Sequence, residues 1–566
     1  MNAYQPQAAD VGFILFDVLN APATLAQLPH HADNADPDLM RQVLEEAGKF
    51  VGNVVAPLNR DGDEVGVRFN NGQVTMPPGF RDAYQAFWQA GWPALSAAPE
   101  DGGQGLPAVL EMVLYEWLSA ANHGWTMAPG LLHGAYECIK HHASDALQAQ
   151  YLEKVATGEW LSTMCLTEPQ AGSDLGLVRT KALPQDDGSY LLNGTKIFIS
   201  GGEHDLTDNI VHLVLARLPD SPPGPKGLSL FLVPKFYADG SRSAVFCERI
   251  EEKMGLHGSP TCVMRFDDAQ GWLVGEVGKG LNAMFLMMNA ARLHVALQGV
   301  GLLDAAWQKA DSYARERRQM RAPVRRDPSQ AADLIIEHPA MQRLLDTQRA
   351  WVDAGRVLAY HTALELDVAQ HHPDATRRQQ ANQWCALVTP VLKASWTDQA
   401  FHGSSDCLQV FGGHGYVREW GIEQIVRDSR VAMIYEGTNE IQAQDLLLRK
   451  VLPDQGQALR QVLDALHAET STASTDMAQR TRQAVTDVQT LLARVGSTSS
   501  ADATRLYPVA GDFLRAVTLA LMAWAWYRLD SARAADAPNA GATAFARWVL
   551  PELTMRVGMV RNALDA

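Results

Sequence analysis

The chain has 566 residues, a length that at roughly 150 residues per domain allows three or four structural units. Hydrophobic residues make up 47% of the chain and charged residues 20%, which excludes disordered and fibrous classes of protein. The net charge of −16 would repel a nucleic-acid backbone, so we expect no nucleic-acid partner. No two of the six cysteines have Cys-x-x-Cys spacing, which gives neither a disulfide framework nor a zinc knuckle, so we expect free, mostly buried thiols and no metal site.

The chain carries no obvious export or membrane signal. Residues 1–20 contain Asp10 and Asp17 but no Lys or Arg, unlike a secretion signal. The longest apolar run, 516–527, has 12 residues, whereas about 20 are needed to cross a bilayer. We therefore expect a soluble, cytoplasmic protein without a membrane span.

The apolar pattern changes along the chain from helical to strand-like. From 37 to 158 apolar residues recur at threes and fours, which predicts helices. From 161 to 274 the pattern becomes short β-branched or aromatic runs separated by turn residues. Asn193-Gly194 lies between two such runs, 190–192 and 195–200, and predicts a hairpin with a type I′ turn. Further strands are predicted at 210–217, 228–233 and 262–266.

Helical periodicity returns at Leu281 and continues almost to the end of the chain. The fold class predicted is therefore mainly α with an inserted β domain. The predicted boundaries are an N-terminal helical domain at 1–160, a β domain at 161–275, a helical domain at 276–452 and an additional helical domain at 453–566. Within the last of these, Gly496-Ser-Thr-Ser-Ser500 separates two stretches rich in Ala, Leu and Arg.

Two glycine-containing stretches could contact a ligand. Met164-Cys-Leu-Thr-Glu-Pro-Gln-Ala-Gly-Ser-Asp-Leu175 is a predicted strand that breaks at Pro169 into a loop, where Gly172 would let backbone N–H groups approach an anionic or carbonyl-rich ligand. A plain surface connection is the alternative. Leu408-Gln-Val-Phe-Gly-Gly-His-Gly-Tyr416 resembles a nucleotide loop but follows a helical pattern, so it lacks the Rossmann context. A helix C-cap followed by a turn also explains it.

The third stretch is Ile434-Tyr-Glu-Gly-Thr-Asn-Glu-Ile-Gln442. Glu436 is flanked by Ile434 and Tyr435, a setting in which partial desolvation raises the proton affinity of a carboxylate towards working pH. The alternative is that Glu436 is an acid at the start of a helix, with Thr438 as the N-cap.

Together and in this order, the three stretches resemble the acyl-CoA dehydrogenase family. Asn193-Gly-Thr-Lys-Ile-Phe-Ile-Ser200 and Lys253-Met-Gly-Leu-His-Gly-Ser-Pro-Thr261 are further matches, and the resemblance covers about residues 40 to 450. The long chain and its extra C-terminal helices look most like the large bacterial branch that includes 3-methylthiopropanoyl-CoA dehydrogenase. The resemblance implies an N-terminal helical domain, a central β-barrel and a C-terminal four-helix bundle, followed by the additional helical domain.

The resemblance also implies the chemistry. FAD would lie between the β domain and the C-terminal helices, with the acyl-CoA thioester between the flavin ring and Glu436. Glu436 would be the catalytic base that removes the α-proton, while the β-hydrogen leaves as hydride to flavin N5. Some relatives carry the base on an earlier helix, at the position of Ala291 here, which cannot accept a proton. The product would be the trans-2-enoyl-CoA, as in fatty acid β-oxidation.

By match to the family motifs, Leu166 and Thr167 would contact the flavin ring, Phe198 would pack on it and Ser200 would hydrogen-bond near N5. The remaining FAD contacts would be Gly172, Ser173, Arg317, Gln409, Gly412, Gly413, Thr438 and Glu440. Several of these would reach a FAD held mainly by the neighbouring subunit, which implies a homodimer. The substrate contacts would be Ser173, Arg292 and Gly437, although a lone helix arginine such as Arg292 also fits a salt-bridge partner.

Partners and alternatives follow from the same resemblance. Electron-transferring flavoprotein is the implied electron acceptor. The alternatives are an acyl-CoA oxidase that uses oxygen, and a DNA-binding flavoprotein relative that is not a dehydrogenase. A basic insertion at 321–337 offers Arg325 and Arg326 to CoA phosphates or is a solvated loop. His257 either approaches the CoA or the flavin, or stabilises a turn.

Overall fold

The computed structural model describes residues 3–533 and 540–565, which form two compact units. The helical unit comprises the described parts of Met1–Lys49, Pro107–Ala120 and Val295–Ala566, and the β unit comprises Phe50–Leu106 and Ala121–His294. The predicted fold class, mainly α with an inserted β domain, is confirmed. Of the predicted terminal domains, residues 1–2, 534–539 and 566 lie outside the described residues.

Helices account for most of the described chain, and three of them exceed 30 residues. In chain order the α-helices of the described residues are α1 Ala8–Gly12, α2 Ala21–Leu25, α3 Pro37–Phe50, α4 Asn59–Val65, α5 Phe80–Gln89, α6 Ala108–Ala121, α7 His123–Thr126, α8 Leu132–His142, α9 Asp145–Ala156, α10 Gly280–Glu316, α11 Pro339–His371, α12 Ala375–Val410, α13 Ile422–Ser429, α14 Asn439–Gln444, α15 Gln457–Thr470, α16 Asp476–Asp502, α17 Ala510–Ser531, α18 Ala540–Ala544 and α19 Glu552–Asp565.

The strands of the β unit form a small hairpin and a barrel. They are β1 Arg68–Asn70, β2 Gln73–Thr75, β3 Leu161–Cys165, β4 Lys181–Pro184, β5 Tyr190–Ser200, β6 Ile210–Arg217, β7 Leu228–Pro234, β8 Val245–Ile250 and β9 Thr261–Val274. The pairings β6-β4-β5-β9-β7 close on themselves through a further pairing of β6 with β7, while β3 joins β6 and β8 joins β9. Because this ring of strands is closed, few strand edges are left unpaired. The expected barrel is confirmed.

The hairpin predicted at Asn193-Gly194 is wrong, because β5 runs through the dipeptide as one strand. Its pairing with β9 shifts register between Leu192 and Asn193. Across this bulge the amide Nδ2 of Asn193 donates to Asp268 Oδ1 (2.7 Å), and the amide N of Asp268 donates to Asn193 Oδ1 (3.0 Å). A Cβ at Gly194 would lie 2.3 Å from Thr180 Oγ1, so the glycine serves close packing rather than a turn.

A different Asn-Gly pair makes the turn. Asn71 and Gly72 both have positive φ, 47° and 83°, and join β1 to β2 with Asn70 opposite Gln73. Positive φ at both central residues is the requirement of a type I′ turn. The N-terminal region, predicted from its periodicity to be helical, therefore contains a short hairpin.

Gly496-Ser-Thr-Ser-Ser500 does not interrupt the C-terminal helices, contrary to its expected role as a separator. Helix α16 continues through it to Asp502. The Asp502 carboxylate then accepts a hydrogen bond from the amide N of Thr504 (2.9 Å), which begins the next, 3-10 helical segment. The break therefore comes at a capping residue rather than at the glycine.

Ala503–Ser531 is the one segment in the described chain that is long and apolar enough, by length and composition, to cross a membrane. The most apolar part of this segment is 72% buried inside the protein. Within α17, Trp526 Nε1 donates to the carbonyl of Ala350 (3.1 Å), and Thr518 Oγ1 is hydrogen-bonded to Ser395 Oγ (2.7 Å). Packing against α11 and α12 accounts for the apolar composition of this helix.

The six cysteines are free, as predicted, and all of them are buried, where the sequence predicted that most would be. Burial raises the pKa of Cys138 to about 12 and, as the largest of several effects, that of Cys165 to about 11. These thiols therefore remain protonated at neutral pH and pack as small apolar groups.

A fully buried arginine joins three helices of the helical unit. Arg356 on α11 donates through Nε to Glu116 Oε1 on α6 and through Nη2 to Asp304 Oδ2 on α10, both at 2.8 Å. Hydroxyl groups complete the cluster, with Tyr360 donating to Glu116 and Tyr4 to Asp304. Burial raises the pKa of Glu116, and the charge of Arg356 opposes that rise.

Replacing Arg356 with leucine should lower the free energy of unfolding by about 3–5 kcal/mol, because it leaves two buried carboxylates without a counter-charge. Urea denaturation at a fixed protein concentration would measure this. The control is Arg480→Leu, which removes an exposed ion pair with Asp476 and should cost no more than about 1 kcal/mol. Equal effects of the two substitutions would contradict the assignment.

Candidate active site

The segment that carries Glu436 is a short loop between the 3-10 turn Arg430–Met433 and α14. Glu436 has a φ of 56° and Gly437 a φ of 86°, so both lie in the left-handed region. A non-glycine residue there costs about 1 kcal/mol or more and persists only where its surroundings hold it. Here Gln442 Nε2 donates to the carbonyls of Glu436 (3.1 Å) and Gly437 (3.3 Å).

Helix α12 anchors the same loop through a buried lysine. Lys393 has no exposed surface, and its Nζ donates to the Gly437 carbonyl (2.8 Å) and to Asn439 Oδ1 (3.1 Å). Asn439 is itself held to α12, donating through Nδ2 to the carbonyl of Ala394 (3.0 Å) and accepting from Thr397 Oγ1 (3.1 Å). A charge-assisted bond inside a protein is stronger than one in water, so the loop position is well defined.

The residues on either side of Glu436 are also engaged. Thr438 is the N-cap of α14, accepting from the amide N of Ile441 (3.3 Å), as the alternative interpretation expected. Glu436, however, precedes the cap and is not in the first helical turn. The Tyr435 hydroxyl donates to Gln298 Oε1 on α10. Burial and, to a smaller degree, the negative charge of Glu436 raise the pKa of Tyr435 well above its usual value.

In the β unit, the segment after β3 lies beside the end of β5. The Leu166 carbonyl accepts from Lys196 Nζ (3.1 Å), and the Thr167 carbonyl accepts from the amide N of Ile197 (2.8 Å). The structure therefore brings Leu166 and Thr167 together with the strand that carries Phe198 and Ser200.

Phe198 is unusual in both backbone and exposure. It lies where the pairing of β5 with β9 shifts register between Lys196 and Ile199, and its φ is 59°. Its side chain is 59% exposed, in contrast to the buried Ile199 beside it. A large aromatic group in a strained, exposed position suits contact with another planar group.

Glu168 shapes the turn that follows. Its Oε1 accepts from Lys196 Nζ (2.8 Å) and the amide N of Thr180 (3.0 Å), and its Oε2 from the amide N of Arg179 (2.7 Å). Burial favours the neutral acid, but Lys196 and these hydrogen bonds outweigh it and lower the pKa of Glu168 to about 2. Beyond this turn Gly172 and Ser173 are exposed, and a Cβ at Gly172 would meet nothing within 4 Å.

The glycine-rich segment after α12 is a helix end followed by the 3-10 turn Gly412–Tyr416. Tyr313 on α10 stacks on Phe411 with 4.4 Å between ring centroids, and its hydroxyl is hydrogen-bonded to His414 Nδ1 (2.9 Å). Arg317 follows Tyr313 by one turn and is exposed, as is Gln409. The structure therefore brings Arg317 into the neighbourhood of Gln409, Gly412 and Gly413.

The 321–337 insertion is folded on itself around Asp333, which is 1% exposed. Asp333 Oδ2 accepts from the amide N of Ala322 (2.9 Å), and this bond, with the nearby charge of Arg325, lowers the pKa of Asp333. Arg325 donates to carbonyls within the insertion, at Pro328 (3.1 Å) and Gln330 (2.8 Å). These contacts give Arg325 a structural role, and Arg326 is exposed.

Two remaining candidates lie in the β unit. Arg292 is half-buried on the first part of α10. His257 has both ring nitrogens engaged, with Nδ1 2.9 Å from Asp63 Oδ1 and Nε2 3.0 Å from the carbonyl of Lys253. The contacts of His257 favour the turn-stabilising interpretation.

The sequence did not single out Glu168, Lys196 or Lys393 as important. Lys393 is a charged residue within an apolar stretch, and such residues are rarely fully buried unless they are paired. That pattern was the available signal for Lys393, whereas Glu168 and Lys196 each follow a threonine and lie in stretches of mixed polarity.

Family models match most of the chain. The N-terminal domain of acyl-CoA dehydrogenase matches residues 38–159, the middle domain matches 163–269 and the C-terminal domain matches 278–450. The chain belongs to the acyl-CoA dehydrogenase family. This acyl-CoA dehydrogenase is a flavoprotein oxidoreductase of fatty acid metabolism that acts on acyl-CoA with FAD.

Individual relatives support the same assignment over almost the whole chain. The acyl-CoA dehydrogenase is 42% identical to 3-methylmercaptopropionyl-CoA dehydrogenase of Ruegeria pomeroyi, over 94% of this chain and 92% of the relative. It is 34% identical to broad-specificity linear acyl-CoA dehydrogenase FadE5 of Mycobacterium tuberculosis, over 96% and 92% respectively.

Solved structures share the fold. Caenorhabditis elegans ACDH-11 in complex with C11-CoA superposes with a TM-score of 0.77 at 20% identity, covering 93% of this chain and 89% of the other. An acyl-CoA dehydrogenase from Bacillus anthracis complexed with FAD gives a TM-score of 0.71 at 22% identity, covering 93% and 86%. Both coverages extend beyond the three matched family domains, so the C-terminal helices belong to the shared architecture.

Replacing Glu168 with glutamine should flatten the pH dependence of stability on the acid side. Its pKa in the fold lies below the ordinary value near 4.3, so ionised Glu168 stabilises the protein above about pH 4.3 and loses this effect as the pH falls towards 2. Between about pH 5 and pH 3 the wild type should lose about 1.5 kcal/mol more unfolding free energy than the variant.

Urea denaturation across this pH range would measure the difference. Glu64→Gln, which alters an exposed ion pair with Arg60, should leave the wild-type slope unchanged. Parallel pH profiles for wild type and Glu168→Gln would contradict the role assigned to Glu168.

Replacing Lys393 with methionine should lower kcat by about tenfold or more, because about 1.4 kcal/mol of loop positioning corresponds to that factor. FAD content and KM should change little, and Lys393→Arg should restore part of the activity. The control is Lys49→Met, which removes an exposed lysine paired with Glu46. An unchanged kcat, or a loss explained entirely by missing FAD, would contradict the expectation that Lys393 positions a loop that takes part in turnover.

Proposed function

We propose that Glu436 is the base that removes the α-proton of the acyl-CoA thioester. The observation that supports this is the arrangement of its loop. Glu436 is a half-buried acid in a left-handed conformation, and buried donors from Gln442 and Lys393 hold its own carbonyl and the next. The loop therefore needs little rearrangement when the substrate binds, and this favours proton abstraction by the Glu436 carboxylate.

An α-proton of a thioester is weakly acidic, so its removal requires stabilisation of the enolate oxygen. The family resemblance implies that the backbone N–H of Glu436 donates to this oxygen. A preorganised donor of this kind contributes about 2.7–4 kcal/mol. When bound, FAD accepts the β-hydrogen as hydride. Closure of the site around the acyl chain excludes water and makes the Glu436 carboxylate a stronger base.

Several residues fit the binding of FAD. Cβ atoms added at Gly172 or Gly413 would meet nothing within 4 Å, and neither glycine has a positive φ. The fold itself therefore does not require glycine at either position. Close approach of a ligand to the backbone would require it, because a side chain would stand in the way. We assign the flavin ring to Leu166, Thr167, Phe198 and Ser200, and the phosphates to Gly172 and Ser173.

We propose that Arg317, Gln409, Gly412 and Gly413 serve the FAD of a second copy of the chain, with Thr438 and Glu440 completing the contact. Lys393 is the residue of α12 that binds the Glu436 loop, and Gln409 lies near the end of the same helix. At 1.5 Å per residue these positions are about 24 Å apart. One chain thus presents its candidate base and its glycine-rich turn at well-separated places, which supports a homodimer.

The substrate proposed first is a short acyl-CoA that contains a thioether, on the basis of the 42% identical relative. Unbranched acyl-CoA thioesters are the next class to test, given the broad-specificity relative. Electron-transferring flavoprotein is the proposed acceptor of the electrons from reduced FAD.

Anaerobic mixing with a panel of acyl-CoA thioesters tests this function. The wild type should lose its flavin absorbance with at least one of them. Glu436→Gln should retain FAD and slow this bleaching by at least about a thousandfold, within the range of general-base contributions. Glu45→Gln, an exposed acid on α3, is the matched control and should behave as wild type. Undiminished bleaching in Glu436→Gln would assign the base elsewhere.

A further inference from the structure

Three histidines from distant parts of the sequence meet in the helical unit. His30 and His31 lie in the 3-10 turn Pro29–Asn34, and His371 is the last residue of α11. One nitrogen from each ring lies within 4.8 Å of the other two. The rings of His30 and His371 are stacked with 4.1 Å between centroids, and His31 meets both edge-on at 4.7 and 5.5 Å.

A carboxylate lies next to one of the three histidines. Asp367 precedes His371 by four residues on α11, so both side chains lie on the same helical face. The Oδ2 atom of Asp367 accepts from the amide N of Ala108 (3.1 Å), which orients the carboxylate. Its Oδ1 atom lies 3.3 Å from His31 Nε2. The turn and the helix end therefore bring three imidazoles together, and Asp367 lies beside one of them, His31.

His31 is the observation that points to a ligand. It is 2% exposed, and neither of its ring nitrogens makes a hydrogen bond in the structure, although Nε2 faces Asp367. A buried polar group without a hydrogen bond costs about 1–3 kcal/mol. A coordinated cation at this position would remove that cost, because an imidazole nitrogen binds metal through the same lone pair.

We propose that His30, His31 and His371 form a binding site for Zn²⁺ or a related divalent transition-metal ion, with Asp367 next to His31. Three histidine nitrogens with a water molecule in the fourth position are a ligand set that Zn²⁺ takes in tetrahedral sites. In such a site the ligand atoms are about 3.3 Å apart, given metal–ligand distances of about 2.0–2.1 Å. The three nitrogens lie within 4.8 Å of one another, so they approach by up to about 1.5 Å on binding, and the exposed ring of His30 has room to move.

The position on α11 also favours a cation. His371 ends the helix, where the exposed carbonyl groups carry partial negative charge. A bound ion would join the turn Pro29–Asn34 to the end of α11 and so stabilise the folded chain in proportion to its binding. This site is independent of the acyl-CoA chemistry, and it departs from the sequence expectation of no metal site.

Zinc binding to the full-length holoenzyme tests the site. The protein is treated with EDTA, desalted, and titrated with ZnCl₂ in competition with a chromophoric chelator. The wild type should bind about one equivalent per chain, and its thermal unfolding midpoint should rise with Zn²⁺ concentration. Co²⁺ in place of Zn²⁺ should give the visible absorption of a tetrahedral complex.

His30→Ala removes an exposed ligand without disturbing the core and should weaken Zn²⁺ binding by at least about tenfold. His371→Ala should do the same, and both variants should retain wild-type bleaching of the flavin by acyl-CoA. The matched control is His402→Ala, an exposed histidine that also follows an aspartate, Asp398, by four residues. It should bind Zn²⁺ as the wild type does.

The proposal is overturned if the wild type binds less than stoichiometric Zn²⁺. It is equally overturned if His30→Ala and His371→Ala keep wild-type affinity, or if His402→Ala loses as much affinity as they do. Flavin bleaching is measured separately, so a failure of the metal site is distinguishable from a failure of the proposed catalytic base.

Discussion

The bond from the Lys393 ammonium to the Gly437 carbonyl connects the body of the helical unit to the loop that bears Glu436. Lys393 lies well inside α12, among residues of that helix that are mostly buried. An ammonium buried at this depth requires acceptors, and the loop supplies a carbonyl and the Asn439 side chain. Because the buried Lys393 ammonium needs hydrogen-bond acceptors, it fixes the position of the Gly437 carbonyl and so constrains the backbone at Glu436.

The β unit uses the same device. Lys196 is fully buried and donates both to the Leu166 carbonyl and to Glu168, so the segment after β3 cannot move independently of β5. In both units a buried lysine therefore holds the main chain of a motif that carries candidate site residues. The strained residues Phe198 and Glu436 lie next to these anchored segments, where the surroundings can sustain a positive φ.

Much of the fold and of the candidate site could be predicted from the sequence. The strand at 210–217 agrees with β6 in both bounds, because a strand buried on both faces shows as a nearly continuous apolar run, which only His212 interrupts before Arg217. The motif around Glu436 was found because its residues are contiguous, and the same holds for Leu166 and Thr167. By contrast, the neighbourhood of Arg317 and Gln409 depends on the stacking of Tyr313 on Phe411 across two helices.

The sequence by itself determined the division into helical and β regions, the family, and the acid proposed as the base, since periodicity and contiguous motifs are local properties of the chain. Only the tertiary structure decided that Asn71-Gly72 turns while Asn193-Gly194 continues a strand, because Asp268 on the neighbouring strand binds Asn193. It also decided which charges are buried together. His31 and His371 meet through the folding of distant segments, and no local pattern records a contact made across such a separation.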